Sequence, residues 1–514
     1  MFWVPDAATS LEAPPHVVDD WVGFMGREES AGVRPGDPIF LSPEYRVDPL
    51  LTGYVQSRSF RRHTRETRRN YATDLRLFLT FLTNRSVCWS GATAKDIEDY
   101  EDWRRFAERN PRRIGGAKWD RELSALMSLF RWATDNGHMQ VNPIVVKQIV
   151  GRDGRPAVVP AARAKDAKRG NVHWLTPRTW RRWIGVGLCG HTAIGIPEPG
   201  WVGRLEDRNV AFVRVMVSSG LRRAEGGSLL TVDVPARQFE TGRYCRGRVA
   251  AEVTRSKKSR TYYVASDAIA DVETYCDSSR ALTVRRAQKQ GRYDRFPGRR
   301  MVTEFGGGAN PTVVWRGNDG SGGERELDRF TVSERMTLFH DGPHGPEPMW
   351  LWLNERGLPF RIHSWEGVFT TANRRCATVL TPPEREGMDP HKVHAPYATP
   401  HSTRHSFALY MLVVLNTLMD QRFGLTAEER RDYRQLYGDP WFMVQNLLGH
   451  ASRETTVERY LAPVADLQLR SMLADAASPP SAPMPELDEL FTRIARESVG
   501  IQDIADFGAS DSDT

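Results

Sequence analysis

Six residues in the C-terminal half of this 514-residue chain have the side chains needed for chemistry on a phosphodiester. Arginine and histidine donate hydrogen bonds to phosphate oxygens, a lysine can protonate a leaving oxygen, and a phenol can attack as a nucleophile. Together they predict a site that holds a phosphodiester and attacks it without a metal. The six candidates are Arg222, Lys257, His401, Arg404, His450 and Tyr460.

Arg222 lies in the segment SSGLRRAEGGSLL, directly after Gly220-Leu221. Its planar, permanently charged guanidinium can bind two phosphate oxygens at once. Glu225 follows three residues later, where it either orients Arg222 or is a solvated helix residue. We therefore treat Glu225 as a supporting residue of the site.

The segment TRSKKSRTYYV is typical of a β-hairpin turn rich in positive charge. A lysine on such a turn could reach the leaving oxygen as a general acid. Lys257 is the better candidate and Lys258 the alternative, because hairpin length shifts the register. Three cations of this segment are expected to contact DNA phosphates: Arg255, Lys258 and Arg260.

The segment PHSTRHSFALYML predicts the start of a helix that carries His401 and Arg404 on one face, since they are three residues apart. A helix N-terminus favours an anion through its free N–H groups. His405, one residue further on, is expected to pack against its surroundings.

The segment NLLGHASRETTVERYL places His450 directly after a glycine that is expected to end a helix. Tyr460 follows ten residues later, and no other tyrosine lies between His450 and residue 514. Tyr460 is therefore the candidate nucleophile of this segment.

These four segments, in this order, resemble the tyrosine recombinase, or phage integrase, family. The spacing from His450 to Tyr460 is one residue longer than is commonest there. The resemblance implies a site-specific DNA recombinase that integrates, excises or transposes a mobile element. Tyr460 would form a covalent 3′-phosphotyrosine, and Lys257 would protonate the 5′ oxygen, with no cofactor and no metal. Implied partners are two double-stranded DNA sites, a tetramer of this chain on DNA, and an accessory DNA-bending or directionality protein.

Two alternatives share parts of this interpretation. A type IB topoisomerase would use the same chemistry to nick and close one duplex. A catalytically silent DNA-binding or architectural protein would keep the fold and lose the reaction. The helical segment that precedes the six candidates and the close LLGH…Y spacing favour recombination over a topoisomerase. The complete residue set argues against a catalytically silent protein.

Charge along the chain supports a polyanionic partner. The formal net charge is +7, and residues 57–170 carry 24 Lys/Arg against 13 Asp/Glu, whereas residues 1–50 and 465–514 are both acidic. Concentrated positive charge is typical of proteins that bind the phosphate backbone. In this basic region we expect DNA contacts from Arg61, Arg62, Arg68, Arg69 and Lys118.

The predicted fold class is mainly α, with a helical core-binding domain and a mixed catalytic domain that contains a small β-sheet. The family resemblance implies a C-shaped clamp on DNA. The expected organisation is an acidic arm (1–60), a helical DNA-binding domain (61–150), a basic linker (151–174), a catalytic domain (175–470) with insertions near 280–345 and 416–439, and an acidic tail (471–514) with a possible protomer-docking helix. We expect the glycine-rich stretch 304–326 to be loop or disordered.

Cysteine usage and apolar patterning indicate a cytoplasmic, nucleoid-associated protein without a membrane segment. The five cysteines are widely separated and form no CxxC pair, so neither a zinc site nor a disulfide framework is predicted. The N-terminal residues contain no apolar stretch of the kind found in secretory signals.

Overall fold

The computed structural model describes residues 1–4, 32–150, 156–166, 174–237, 244–308, 310–381, 395–421, 440–449, 489, 491, 492, 494, 495 and 501–503. The chain forms two compact units, Met1–Gly170 and Asn171–Thr514. Each unit has a hydrophobic core of its own, as expected for a chain too long for one ordinary core. The fold is mainly α, as the sequence predicts.

Helices form most of the first unit. Thr64 caps one of them, accepting a hydrogen bond from the Thr67 amide at 3.2 Å, and Asp96 accepts one from the Thr93 amide at 2.8 Å at the start of the next. The helices are α1 (Pro49–Gln56), α2 (Arg58–Arg61), α3 (Arg65–Thr83), α4 (Ala94–Arg105) and α5 (Gly116–Asp135).

The core of this unit comes from the apolar faces that helical spacing predicts. Leu75 and Phe78 of α3 pack with Leu126 and Phe130 of α5, and all four are buried. The Phe78 and Phe130 rings meet edge to face at 5.9 Å between centroids. Amphipathic packing therefore sets the relation of the two longest helices in the unit.

The first unit extends beyond the predicted limits of 61–150. Leu51, Tyr54 and Phe60, expected in an irregular arm, belong to the same core. Strand β1 (Phe2–Trp3) pairs with β2 (Pro38–Ile39). In the expected linker, β4 (Pro156–Pro160) pairs antiparallel with β3 (Val146–Val150) of the preceding segment, and the Ala162 carbonyl accepts a hydrogen bond from Trp119 at 2.8 Å. The high Pro and Gly content of these segments favoured an irregular structure, although they contain apolar residues that pack in the core.

The second unit is organised around buried tryptophans. Trp183, Trp350, Trp352 and Trp365 are fully buried, and Phe212 stacks on Trp365 at 3.5 Å between centroids. Its helices are α6 (Pro177–Gly187), α7 (Glu206–Ser219), α8 (Arg223–Gly227), α9 (Ser266–Tyr275), α10 (Ala281–Lys289), α11 (Val332–Arg335), α12 (Trp365–Leu380), α13 (Pro400–Gln421) and α14 (Pro440–Leu448).

A hairpin in this unit carries the candidate lysines. Strand β6 (Tyr244–Val249) pairs antiparallel with β7 (Arg260–Ala265). The sequence VAAEVTR (249–255) is typical of a strand, but only Val249 belongs to β6, because Ala250 and Val253 are buried in a turn that contains the 3₁₀ segment Ala251–Val253. The connection is therefore longer than that of a tight hairpin.

The glycine-rich stretch expected to be loop forms part of a five-stranded sheet. Its order is β10-β9-β8-β11-β12, and only the β8–β11 pair is parallel. Val313 of β9 is fully buried in the main core, and Gly323 of β10 lies against the Trp315 ring. The strands are β8 (Arg300–Phe305), β9 (Thr312–Gly317), β10 (Gly322–Glu326), β11 (Leu338–Gly342) and β12 (Gly345–Pro348).

The described residues of the C-terminal segment pack within the second unit. Phe491 is buried and stacks on Tyr410 of α13 at 5.9 Å between centroids. Strand β13 (Ile501–Gln502) pairs in parallel with β5 (Trp174–Leu175). The sequence predicts one helix here, and the strand at 501–502 ends it earlier than expected.

Candidate active site

A single buried carboxylate, that of Glu225 in α8, joins two arginines. One oxygen accepts a hydrogen bond from the Arg222 guanidinium at 2.9 Å, and the other accepts from the Arg222 backbone amide at 2.9 Å and from Arg260 Nη2 at 2.6 Å. The Glu225 side chain is only 1% exposed. This pairing fixes the backbone and the side chain of Arg222 together.

The ionisation of Glu225 is set by two opposing effects. Burial acts to raise the pKa of Glu225, but the charges of Arg260, Arg404 and Arg222, with the hydrogen bond from the Arg222 amide, lower it below its ordinary value. Glu225 therefore stays negatively charged near neutral pH, in the midst of three guanidinium groups.

Arg404 connects two segments that flank the site. It is fully buried near the start of α13. One terminal nitrogen donates a hydrogen bond to the Gly220 carbonyl and the other to the Leu448 carbonyl. Arg404 thus holds the loop before Arg222 and the end of α14 in one place, which the i, i+3 spacing from His401 alone did not predict.

Gly220 is a position where only glycine fits. Its φ is 60°, in the left-handed region, and a Cβ there would lie 2.2 Å from Cδ1 of Phe407. Phe407 is on the same helix as Arg404. The close approach of the two segments is what brings the Gly220 carbonyl to Arg404.

The end of α14 is bound by two arginines. The Leu447 carbonyl accepts a hydrogen bond from Arg260 Nη1 at 3.0 Å, and the Leu448 carbonyl accepts from Arg404. The last carbonyls of a helix have no partner within the helix and attract cations. His450 and Tyr460 lie outside the described residues, so their placement stays a prediction.

His401 is exposed at the start of α13, while His405, one turn further on, is buried. The two rings meet edge to face at 4.4 Å between centroids. The His405 ring also lies edge to face with Trp174, at 6.0 Å. His405 therefore packs between an exposed candidate and the core, in the manner expected.

Lys257 occupies the turn of the β6–β7 hairpin with a left-handed φ of 55°. Its Nζ donates hydrogen bonds to the Glu252 carbonyl at 2.9 Å and to the Glu252 carboxylate at 2.7 Å. The backbone amide of Lys258 donates to Thr254 Oγ1 at 3.1 Å. The turn is thus held by local bonds, and both lysines and Arg255 are exposed on it.

The residues expected to contact DNA differ in how far they are already paired. Arg61 and Arg68 bind the buried Asp37, at 2.6 Å and 3.4 Å. Lys118 pairs with Asp74 and with Glu122. The exposed members of the set are Arg62, Arg69, Arg255 and Lys258.

Arg260 has a different environment from the one that the basic turn predicts for it. It was expected on a DNA-facing surface, but its side chain is only 13% exposed and is held between Glu225 and α14. Strand alternation could have indicated this, because Tyr262 and Val264 on the same face of β7 are both buried. The charge of the neighbouring turn favoured a surface position for Arg260 instead.

Three guanidinium groups around one carboxylate leave an excess of positive charge. Electrostatic attraction to an anion is stronger in such a partly buried place than in open solvent. Arg222 is 30% exposed and His401 is exposed, so an anion could reach both from solvent. The geometry is therefore suited to a phosphate group.

Two further observations concern metals and membranes. In the parts of the chain that the structure describes, no cluster of three or more His, Cys, Asp or Glu residues is arranged to hold a metal ion. Among those same residues, no helix combines the length and apolar character required to cross a membrane.

Comparison with known proteins adds independent information. Residues 54–137 match the family model described as "Phage integrase, N-terminal SAM-like domain". Tyrosine recombinase XerC of Rhodospirillum centenum is 30% identical over 173 residues, which is 33% of this chain and 43% of that protein. The crystal structure of XerA recombinase aligns with 84% of this chain and 100% of that chain, at 16% identity and a TM-score of 0.29.

The family-model match lies in the helical first unit. The same chain also contains the motifs around Arg222, Arg404 and His450. These similarities support the resemblance to the tyrosine recombinase family that the motifs indicate. The alignment spans 43% of the length of the curated XerC relative.

Proposed function

We propose that this protein is a site-specific DNA recombinase that cuts and rejoins DNA through a covalent 3′-phosphotyrosine. The observation that carries the proposal is the convergence of Arg222, Arg260 and Arg404 on Glu225 and on the end of α14, the helix that leads into His450. Segments far apart in sequence meet there to form a site with excess positive charge.

The proposed reaction begins with attack by the Tyr460 phenol on the scissile phosphorus. A phenol with a pKa near ~10 is a weak nucleophile, so the charge that develops on the phosphate oxygens must be stabilised. Arg222, His401 and His450 would donate hydrogen bonds to those oxygens, and Arg404, whose terminal nitrogens bind the Gly220 and Leu448 carbonyls, would stabilise the phosphate through its charge.

The bond from phosphorus to the 5′ oxygen breaks as the bond to Tyr460 forms. The Tyr460 phenol would release its proton to solvent as it attacks, and Lys257 would deliver a proton to the departing 5′ oxygen, which leaves as a hydroxyl. The phosphotyrosine retains the energy of the original phosphodiester, so a 5′-hydroxyl from another strand can reverse the step without ATP. Exchange between two duplexes by this route calls for four protomers.

A matched pair of arginines tests this proposal. Arg222→Ala is expected to lower cleavage of a bound DNA site by at least ~10²-fold, the scale lost when one charge-stabilising donor is removed. Arg223→Ala is the control, because the neighbouring Arg223 pairs with Glu366 rather than with Glu225. Equal cleavage by Arg222→Ala and the control would remove Arg222 from the site. Relaxation of any supercoiled plasmid by the monomer would instead favour a topoisomerase.

A further inference from the structure

Arg260 joins three motifs that are widely separated in sequence. It begins β7, and its Nη2 donates to the Glu225 carboxylate at 2.6 Å while its Nη1 donates to the Leu447 carbonyl at 3.0 Å. Glu225 in turn binds Arg222 at 2.9 Å. One side chain therefore links the hairpin, the segment of Arg222 and the end of α14.

The stem of Arg260 also packs against the residue that ends this helix. Gly449 has a φ of 64°, and a Cβ there would lie 2.7 Å from Cδ of Arg260. The Gly449 amide donates to the Asn446 carbonyl at 3.0 Å. A glycine is needed so that the backbone can turn left-handed this close to the arginine, and His450 is the next residue in the sequence.

Helix α14 depends on such contacts. It contains only nine residues, and helices of this length are marginal without tertiary support. Its last two carbonyls are bound by arginines from two other elements, β7 and α13. Loss of either arginine would leave a partial negative charge at the helix end with less compensation.

We propose that Arg260 is a positioning residue: it fixes the C-terminal end of α14, and with it the backbone that enters His450, relative to Arg222 and Glu225. This inference rests on the proposed recombinase function. It assigns Arg260 a role inside the site rather than a contact with the DNA backbone, since both terminal nitrogens face protein acceptors and little of the side chain is exposed.

Hydrogen exchange gives a test that does not depend on activity. In full-length Arg260→Gln, the amides of residues 445–449 are expected to exchange about tenfold faster than in wild type, because a charge-assisted bond at the helix end is lost. Arg246→Gln removes the same charge from the exposed face of the same hairpin and serves as control. Unchanged exchange in Arg260→Gln would overturn the inference.

Cleavage and DNA binding then separate positioning from DNA contact. Arg260→Gln is expected to keep the wild-type Kd for DNA but to cleave bound DNA ~10²-fold more slowly in a single turnover, the cost of a small misplacement. Arg260→Lys keeps the charge and should recover part of the rate. A weaker Kd with an unchanged rate at saturation would make Arg260 a DNA contact and overturn the inference.

Failure of the proposed function gives a different pattern of results. If wild type formed no cleaved product on any DNA, the recombinase proposal would fall, and the exchange measurement would still decide whether Arg260 holds the end of α14. If wild type cleaved and Arg260→Gln cleaved equally fast, only the role of Arg260 would be rejected.

Discussion

At the scale of single residues, the charge on Glu225 is the feature on which the site depends. Its carboxylate is buried, and the arginines around it hold its pKa below the ordinary value. A group whose pKa is lowered by folding contributes stability above its unfolded pKa and loses that contribution as pH falls through the folded value. The carboxylate should therefore stabilise the second unit throughout the neutral range.

This predicts a pH-dependent effect of Glu225→Gln. At pH 7 the variant should be less stable to urea unfolding by about 3 kcal/mol, since three arginines lose their shared anion. The difference should shrink as pH falls below about 4.3, where the unfolded carboxyl begins to bind a proton. Urea titrations at pH 7 and pH 3.5 measure it, and an equal difference at both values would contradict the account.

Local sequence patterns predict some residues of the site but not the contacts between distant segments. The segments around Arg222 and Arg404 predicted two residues that lie close together in the structure. The segment of Arg222 also indicated a supporting role for Glu225. The bonds from Arg260 to α14 could not be predicted, because they join residues 187 positions apart. Such a contact is fixed by the packing of three elements rather than by any local pattern.

At the scale of elements, the junction between α7 and α13 leaves no room for a side chain at Gly220. Gly220→Ala would meet the Phe407 ring and would need a left-handed φ. We expect a loss of about 3 kcal/mol from overpacking and backbone strain together. Thermal unfolding would measure this loss.

The control for this change is Gly298→Ala in the same unit. Gly298 has a φ of 65° and no atom within 4 Å of its ideal Cβ position. The substitution should cost about 1 kcal/mol, from backbone conformation alone. If both variants lost the same stability, the contact with Phe407 would not be the reason that glycine occupies position 220.

The inserted sheet is attached to the main core through a buried ion pair. Arg335 at the end of α11 is 1% exposed and binds Asp233. Burial raises the pKa of Asp233 although Arg335 opposes the shift. Arg335→Ala should cost about 3 to 5 kcal/mol in urea unfolding, because it leaves a buried carboxyl without its partner.

An exposed pair in the same insertion provides the comparison. Nε of Arg329 lies 3.1 Å from Oε2 of Glu326, and the two side chains are 73% and 50% exposed. Arg329→Ala should change the unfolding free energy by less than about 1 kcal/mol. Similar losses in the two variants would mean that Arg335 does not anchor the sheet.

Glycine content is a poor guide to secondary structure in this insertion. Glycines at 306–308 and 317–323 were interpreted as breakers, yet several of them lie at turns or on the β10 edge strand. The alternation in β9, where Val313 and Trp315 are buried, is the pattern typical of a half-buried strand. Glycine is needed at position 323 because a Cβ there would lie 2.5 Å from the Trp315 ring.

At the scale of the whole molecule, positive charge is concentrated in residues 57–170, all of which belong to the first unit. If this region binds the DNA backbone, raising salt from 50 to 200 mM should weaken binding by ~10³-fold or more. Fluorescence anisotropy with a labelled duplex measures the slope of log K against log salt. A slope near zero would contradict backbone binding.

Individual arginines should contribute to that slope according to their pairing. Arg62→Gln and Arg69→Gln, both exposed in the structure, should each reduce the slope by ~0.9 if each contacts one phosphate. Arg61→Gln should affect the slope less, because Arg61 is held by Asp37 at 2.6 Å. Equal effects of all three changes would show that pairing within the unit does not matter.

The most direct test of the central claim is covalent trapping by Tyr460. Wild type and Tyr460→Phe would be incubated in EDTA with nicked duplexes taken from both flanks of the gene, and adducts resolved on denaturing gels. We predict a protein–DNA adduct with wild type only, and equal DNA binding by both proteins. An adduct that persists in Tyr460→Phe, or tight DNA binding by wild type with no adduct on any duplex, would contradict tyrosyl transfer through Tyr460.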